Sequence, residues 1–231
     1  MPVATRSVIA PALTSVALLA LSAGCDSPNA ATPADSTAPS AHPGASATTS
    51  PPSAGPGLSV GDRVGEATLL SDSGAPVALS SLYSQRPVVV TFYRGGWCPY
   101  CTRALAEWEG RRGELAAMGV DFVAITPERP DLSHQTAEKA ELGFTILSEA
   151  QFQAADAFRV RFSLDERTRT QYKGYGVDLA AVNAAGMWDL PAPGTFLIDT
   201  QGIVRYAWAD WDYRQRANPD EVIGAARALA R

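Results

Sequence analysis

Apolar residues cluster into short runs along the chain from residue 58 onward, and two of these runs stand out. Val88–Tyr93 and Val120–Ile125 are almost wholly apolar, which is typical of strands buried on both faces of a sheet. Shorter runs flank the turn sequences "SDSGAP" and "DTQG". They predict two β-hairpins and one further strand: Ala67–Leu70 with Val77–Leu79, Thr195–Asp199 with Ile203–Trp208, and Phe144–Leu147.

Helical spacing of apolar residues follows the first buried run. Leu105, Trp108, Leu115 and Met118 recur at helical offsets and predict a helix from Cys98 or Pro99 to about Met118. Further helices are predicted at Leu132–Leu142 with Asp131 as N-cap, at Glu149–Phe158 and at Pro219–Ala230, and the polar segment Asp165–Gly176 is predicted to be irregular or a surface helix. This order of elements predicts an α/β fold, in which helices flank a mixed central sheet.

The first 24 residues have the pattern of a secretion signal. Arg6 provides the positive charge, Val8–Leu21 is apolar, and small residues follow. "LSAGC" resembles the lipobox of bacterial lipoproteins, although Ser22 stands where leucine is usual. This resemblance implies that Cys25 is lipidated and that the protein is extracytoplasmic and anchored to a bacterial cell membrane by lipid alone. The alternative is a secreted or periplasmic protein with a spare thiol.

Residues 26–57 are almost entirely Ala, Pro, Ser, Thr and Gly. Such a segment cannot bury enough apolar surface to offset its chain entropy, so we expect a disordered linker. His42 lies in this segment and is given no catalytic role. The folded part is therefore expected to be a single domain at residues 58–231.

Composition excludes several classes of function. The net charge of the 231-residue chain is −5, and no block of Lys and Arg is present, which argues against a nucleic-acid partner. Cys98, Cys101 and His134 are the only Cys and His residues of the predicted domain. Three candidate ligands do not make a four-ligand zinc site, so neither a metal nor another cofactor is expected. His134 is expected to be a surface residue.

The strongest chemical signal is the stretch "TFYRGGWCPYC", which follows the first buried run. Pro99 suits the first helical position, so we expect Cys98 to be the N-cap, with Cys101 on the same helix face. This spacing permits a disulfide, and a helix N-terminus lowers a thiol pKa. Arg94 and Arg103 could add positive charge. A purely structural disulfide is disfavoured, because so short a loop stabilises little.

Several neighbouring residues have two possible roles. Trp97 and Tyr100 either shape the contact surface of the thiols or simply fill space. Glu128 and Lys139 are expected to be solvated. The stretch "YAWADWDYRQR", residues 206–216, forms either a partner surface or the packing at a strand end.

"FYRGGWCPYC", "LSEAQFQAADAF" and "PAPGTFLIDTQGIVRYAW" together resemble the peroxiredoxin-like (AhpC/TSA-type) redoxins of the thioredoxin-fold superfamily. The resemblance implies a thioredoxin-like fold with an N-terminal β-hairpin extension. Peroxiredoxins carry Pro-x-x-x-Thr-x-x-Cys at this point, which places Arg94, Cys98 and Cys101 at the Pro, Thr and peroxidatic positions. The arginine that the family places before its "FIID"-type strand is replaced by Pro193. Cys98 and Pro193 instead resemble thioredoxin, in which WCxxC faces a cis-proline.

The resemblance leaves three functions open. The first is hydroperoxide reduction, in which Cys101 is oxidised and Cys98 resolves the intermediate. The second is reduction of disulfides in partner proteins, in which an exposed Cys98 attacks and Cys101 resolves. Both need a thioredoxin-type thiol donor, and outside the cytoplasm this would be a transmembrane thiol carrier. The third is a non-catalytic binding lipoprotein with a vestigial redox fold.

Overall fold

The computed structural model describes residues 55–231. The predicted signal peptide, the lipidation site Cys25 and residues 26–54 of the predicted linker lie outside the described residues, so these expectations stay predictions. Near the start of the described part, the backbone N–H of Gly57 donates to the carbonyl of Arg159 at 2.9 Å. None of the helices within residues 55–231 has the length and apolar character needed to cross a membrane.

A seven-stranded mixed sheet forms the centre of the domain. Its strands are β1 (Thr68–Leu70), β2 (Pro76–Ala78), β3 (Val88–Phe92), β4 (Asp121–Thr126), β5 (Thr145–Ser148), β8 (Gly194–Ile198) and β9 (Val204–Ala209). Their spatial order is β2-β1-β5-β4-β3-β8-β9. In this sheet β3 pairs with β4 and β4 with β5 in parallel, and all other neighbouring strands are antiparallel. The α/β architecture and the N-terminal β1–β2 hairpin are thus confirmed.

Both faces of β3 are buried, as its continuous apolar sequence predicts. Val88, Val90 and Phe92 join a large core cluster on one face, whereas Val89 joins the cluster that packs under helices on the other. This alternation follows from the two-residue period of a strand. β3 is therefore held rigidly in the middle of the sheet, and its carboxyl end is a fixed platform for the residues that follow it.

Six α-helices cover the described domain: α1 (Pro99–Ala117), α2 (Pro130–Lys139), α3 (Gln153–Ala157), α4 (Glu166–Gly174), α5 (Leu179–Val182) and α6 (Pro219–Leu229). α1 and α6 pack together, and α2 packs on β5. A short 3-10 helix at Leu79–Leu82 follows the hairpin. The predicted first and last helices are confirmed, and the polar segment after Asp165 is helical from Glu166.

Two predicted helix starts are wrong. α2 is capped by Arg129 rather than Asp131, because Pro130 lacks an N–H and fits the first helical position. α3 begins at Gln153 rather than Glu149, since Phe152 has a left-handed backbone with φ of +56°.

A second, two-stranded antiparallel sheet of β6 (Arg161–Ser163) and β7 (Asp189–Pro191) was not predicted, and neither was α5. These strands are too short to produce a clear pattern.

Glu149 is a fully buried carboxylate at the turn before α3. Its Oε2 accepts the N–H of Ala155 at 3.0 Å, and within the described part of the chain Oε1 has no hydrogen-bond partner. Burial raises the pKa of Glu149 to about 7, although the backbone N–H groups of Ala155 and Ala154 oppose the shift. The carboxyl is therefore neutral in mildly acidic solution. Its ionisation as the pH rises lowers the stability of the folded state.

Glu149→Gln should remove a pH-dependent loss of stability. A carboxyl whose folded pKa is raised stabilises fully below its unfolded pKa, and this contribution is lost as pH rises through about 7. From about pH 4.5 to about pH 8, we expect the free energy of unfolding of the variant to gain about 1–3 kcal/mol relative to the wild type. Urea unfolding of both proteins at the two pH values measures this change. A gap that stays constant with pH would contradict it.

Candidate active site

The cysteine pair lies at the junction between the central strand β3 and the long helix α1. β3 ends at Phe92, and Cys98 is the N-cap of α1, with Pro99 at the first helical position. The predicted capping arrangement is therefore confirmed. Pro99 suits this position because its missing N–H would have no helical acceptor. Cys101 lies one turn into the helix and is directed at the same site as Cys98.

Two glycines let the loop between β3 and α1 run close to its neighbours. A Cβ at Gly95 would lie 2.3 Å from Nε1 of Trp97, and Gly95 has a φ of +150°. A Cβ at Gly96 would lie 2.1 Å from Oγ1 of Thr136 on α2. Neither distance is tolerated between real atoms, so this close approach requires glycine at both positions. The loop is thereby fixed between α2 and the thiols.

The two sulfur atoms are in direct contact. Sγ of Cys98 and Sγ of Cys101 are 2.7 Å apart, and both cysteines are free. Their residues are 0% and 1% exposed. The exposed Cys98 that the disulfide-reductase hypothesis requires is therefore not found. Cys98 is buried because side chains from distant parts of the sequence pack over it. The residues around the cysteines do not indicate this packing.

Arg94 places a buried cation against Cys98. Its residue is 1% exposed, its Nη2 donates to Sγ of Cys98 at 3.1 Å, and its Nη1 donates to the hydroxyl of Tyr172 at 2.8 Å. The guanidinium carbon lies 4.0 Å from the ring centroid of Tyr213 and 5.1 Å from that of Trp97. Two aromatic faces thus replace part of the water that a guanidinium ion loses on burial.

A second cation, Arg216, reaches Cys101 from the segment between β9 and α6. Its Nη2 lies 3.4 Å from Sγ of Cys101, and its Nη1 donates to the carbonyls of Tyr213 and Gln215. Arg216 is half-buried. Arg216 was not predicted as a site residue, and the only signal in the sequence is the dense stretch of aromatic residues and arginines at 206–216.

The surroundings of the two thiols shift their pKa values in opposite directions. Burial by itself would raise the pKa of Cys101, but the hydrogen bond with Cys98 and the charges of Arg94 and Arg216 lower it to about 5. The hydrogen bond to Cys101 and burial raise the pKa of Cys98 well above its usual range, against the opposing charge of Arg94. The pair therefore holds one proton near neutral pH, with the thiolate on Cys101.

Residues 60–207, more than half of the chain, match the AhpC/TSA family. The chain belongs to the AhpC/TSA family. Escherichia coli Peroxiredoxin Bcp is 33% identical over 103 residues, which cover 45% of this chain and 65% of that protein. The aligned part is thus slightly less than two thirds of that relative.

Two solved structures agree with the fold. Peroxidoxin BcpB from Mycobacterium tuberculosis is 25% identical, with a TM-score of 0.59 over 74% of this chain and 97% of that one. A peroxiredoxin-like protein from Aquifex aeolicus is 20% identical, with a TM-score of 0.58 over 76% of this chain and 90% of that one. The predicted thioredoxin-like fold is confirmed.

The family motif can now be placed residue by residue. Arg94 and Cys98, at the Pro and Thr positions of the motif, lie together beside Cys101. Pro193 is buried and directly precedes Gly194, which pairs with Phe92 at the end of β3. It therefore lies at the sheet edge where the cysteine loop begins. The cis peptide bond at Pro193 stays a prediction.

Of the remaining predicted site residues, some pack against the dithiol and others are exposed on α1. Trp97 packs edge-on against Tyr172 at 5.7 Å between ring centroids, and Tyr100 packs edge-on against Tyr213 at 5.5 Å. Both rings pack against the cluster that contains the dithiol. Pro99 is exposed. Arg103 is also exposed on α1, and the cations beside the thiols are instead Arg94 and Arg216.

Glu128 is buried, so the expectation that it is solvated is wrong. Its residue is 3% exposed, and its Oε2 accepts the N–H of Gly96 at 2.9 Å, which ties the loop after β4 to the cysteine loop. Burial, with a smaller contribution from the charge of Cys101, raises the pKa of Glu128 to about 7. Glu128 and Trp97 line a cleft of about 440 Å³ that also borders α2.

The described residues contain no group of three or more His, Cys, Asp or Glu side chains that could hold a metal ion. His134 is half exposed on α2, and its Nε2 lies 3.4 Å from a carboxylate oxygen of Glu138. It lies among surface carboxylates, as expected of a surface histidine. Two cations, Arg94 and Arg216, are in contact with the sulfur atoms of the dithiol.

Proposed function

We propose that the chain is a thiol peroxidase that reduces hydroperoxides through a dithiol–disulfide cycle of Cys101 and Cys98. The observation that carries this proposal is the contact of Sγ of Cys101 with two groups that favour its thiolate, Sγ of Cys98 at 2.7 Å and Nη2 of Arg216 at 3.4 Å, and these contacts lower its pKa. A thiolate is the nucleophilic form of cysteine. Membership of the AhpC/TSA family and likeness to peroxiredoxins support the same function.

The first step is attack of the Cys101 thiolate on the terminal oxygen of the hydroperoxide. A sulfur–oxygen bond forms and the oxygen–oxygen bond breaks, so that the sulfur is oxidised to a sulfenic acid. The departing alkoxide takes a proton from water and leaves as an alcohol, or as water when the substrate is hydrogen peroxide. Burial of both sulfurs favours a small substrate of this kind over a cysteine of a folded partner.

The second step is attack of Cys98 on the sulfenic sulfur. A disulfide forms, and the sulfenic hydroxyl leaves as water after taking the Cys98 proton. The sulfurs are in contact, so this step needs no movement of α1. An external thiol donor of the thioredoxin type must then reduce the disulfide by exchange.

Reduction of disulfides in partner proteins is the second candidate. It is favoured by one specific observation, the WCPYC sequence, which has a cysteine where peroxiredoxins have threonine. Against it stand the buried Cys98 and its raised pKa, because this reaction needs an exposed nucleophilic thiolate there. A non-catalytic role is disfavoured by the free thiols and the two cations placed beside them.

The two enzymatic functions can be separated with one reduced protein. In a Cys25→Ser background, Cys98 and Cys101 are the only thiols. Stopped-flow tryptophan fluorescence should show oxidation by hydrogen peroxide at least about 100-fold faster than a free cysteine, whereas a peptide disulfide should react slowly. Slow oxidation by peroxide together with rapid reduction of the peptide disulfide would establish the second candidate.

We also propose that Cys25 carries a lipid that tethers the protein outside the cytoplasm, so that a transmembrane thiol carrier supplies its electrons. The support is the sequence "LSAGC" after an apolar signal-like segment. In a bacterial host, Cys25→Ser should move the protein from the membrane fraction to the soluble fraction. Equal recovery of both forms in the membrane fraction would contradict lipidation at Cys25.

A further inference from the structure

The 164–188 segment lies between the two strands of the small sheet and contains α4 and α5. β6 ends at Ser163 and β7 begins at Asp189, and these strands pair with each other, so the two ends of the segment are held together. A separate apolar cluster packs within and beneath the segment. Its buried members are Leu164, Tyr172, Leu179 and Leu190. Trp97 of the cysteine loop packs against this cluster, which connects the segment to the active site.

Tyr172, on α4, is the residue of this segment that reaches the dithiol. Its hydroxyl accepts a hydrogen bond from Nη1 of Arg94 at 2.8 Å, and Nη2 of the same guanidinium donates to Sγ of Cys98 at 3.1 Å. Its ring packs edge-on against Trp97. Burial raises the pKa of the Tyr172 hydroxyl, the charge of Arg94 opposes this shift, and the charge of Cys98 adds to it. Tyr172 is therefore part of the packing that leaves Cys98 0% exposed.

The position of Cys98 along the chain does not by itself explain this burial. Cys98 is the N-cap of α1, just beyond the end of β3, and the next residue, Pro99, is exposed. The side chain in contact with its sulfur is Arg94, which is held by the hydroxyl of Tyr172 and by the ring of Tyr213. Access to Cys98 therefore depends on residues far away in the sequence.

Packing over Cys98 affects large and small substrates unequally. Attack on a disulfide joins the sulfur of Cys98 to one of two sulfurs that each carry a carbon chain, so a bulky molecule has to lie against the thiol. Hydrogen peroxide has two heavy atoms, and its proposed site of reaction is Cys101. A group that covers Cys98 therefore blocks disulfide exchange more strongly than oxidation by peroxide.

We infer that Tyr172 is a specificity-determining residue, which excludes disulfide substrates from Cys98 while hydroperoxides still reach Cys101. This inference deepens the proposed peroxidase function and rests on it for the substrate that is admitted. It reconciles that function with the WCPYC sequence, because the first cysteine of the motif is shielded. The thiol donor meets the same packing, so its attack on the disulfide of the enzyme requires Tyr172 to move.

The test compares two substrates on the whole reduced protein in the Cys25→Ser background. One is hydrogen peroxide, and the other is a short peptide that contains one disulfide. In the second reaction Cys98 attacks a peptide sulfur, and Cys101 then displaces it, so that the protein forms a disulfide and the peptide leaves as a dithiol. The two electrons come from the protein dithiol. One of the two protons comes from Cys98, and the other comes from water.

Two substitutions at Tyr172 and one control separate the ring from its surroundings. Tyr172→Ala removes the ring, whereas Tyr172→Phe keeps the ring without its hydroxyl. Leu179→Ala is the matched control, because Leu179 is a fully buried member of the same cluster on α5, and its truncation loosens the segment without removing the ring beside the dithiol. Tyr172→Leu replaces Tyr172→Ala if the latter does not fold, since leucine keeps apolar packing but cannot reach Arg94.

Tyr172→Ala should raise the second-order rate constant with the peptide disulfide, and the ratio of this constant to that with peroxide should rise at least about 10-fold. Tyr172→Phe and Leu179→Ala should leave the same ratio within about 3-fold of the parent protein, because both keep an aromatic ring over Cys98. Stopped-flow fluorescence measures both reactions.

The outcomes separate this inference from the peroxidase proposal. An unchanged rate with the peptide disulfide in both Tyr172→Ala and Tyr172→Leu overturns the inference and leaves the peroxidase proposal standing. An equal increase in Leu179→Ala also overturns it, because looseness of the segment would then control access. A parent protein that reduces the peptide disulfide rapidly overturns both. A parent protein that is slow with both substrates, and is accelerated with the peptide by Tyr172→Ala, contradicts the peroxidase proposal and supports the role of Tyr172.

Discussion

Replacing Cys101 with serine should lower the rate of oxidation by hydrogen peroxide about 100-fold or more, because a serine hydroxyl stays protonated and is a poor nucleophile at neutral pH. Cys98 remains in this variant beside Arg94, and we expect it to react no faster than about a free cysteine. Stopped-flow fluorescence of the reduced protein, in which Trp97 packs against the dithiol cluster, follows the reaction.

Cys98→Ser is the matched control for this experiment. It should keep the fast first oxidation within about 10-fold, because the serine hydroxyl can still donate a hydrogen bond to the Cys101 thiolate. The sulfenic acid should then persist and be trapped by dimedone, whereas the protein with both cysteines should form a disulfide. Fast oxidation in Cys101→Ser and slow oxidation in Cys98→Ser would reverse the assignment of the nucleophile.

Replacing Arg94 with leucine should raise the pKa of Cys101 by about 2 units, because it removes a buried cation that favours the thiolate. At pH near 6 the thiolate fraction, and with it the rate of oxidation by peroxide, should fall about 10-fold. Most of the lost rate should return as the pH is raised to about 9. Absorbance at 240 nm, which reports thiolate, measures the pKa separately from the reaction.

Two further variants make the Arg94 result interpretable. Arg94→Lys keeps the charge and should retain a lowered pKa if it folds, even though it cannot contact Cys98 and Tyr172 together. Arg103→Gln removes an exposed arginine of α1 and should leave the pH profile unchanged. A pH profile of Arg94→Leu that coincides with the wild type would show that the charge of Arg94 does not set the ionisation of Cys101.

The sequence predicted those parts of the fold that depend on local patterns. The continuous apolar run at Val88–Tyr93 led to β3, and Pro99 fixed the start of α1, so the position of the dithiol at a strand-to-helix junction was correct. Strands of three residues, such as β6 and β7, contain too few positions to show a period. The helix predicted from Glu149 failed for a local reason, the left-handed backbone of Phe152.

The chemistry of the thiols depends on contacts that no local pattern contains. Arg216 is 115 positions from Cys101 along the chain, and Tyr172 is 78 positions from Arg94. These contacts bury Cys98 and move the thiolate to Cys101, whereas the helix N-terminus alone left the choice of thiol open. Glu128 was misjudged for the same reason, since its burial comes from the fold of the cysteine loop over it.

The central claim is that Cys101 is a low-pKa peroxidatic thiol, and one measurement tests it most directly. It is the second-order rate constant with hydrogen peroxide, measured against pH, for a protein whose only thiol is Cys101. We expect a rate at least about 100-fold above that of a free cysteine at pH 7, with an acid limb well below the usual thiol pKa of about 8.5. A rate no faster than a free cysteine, rising only above about pH 8, would contradict the claim.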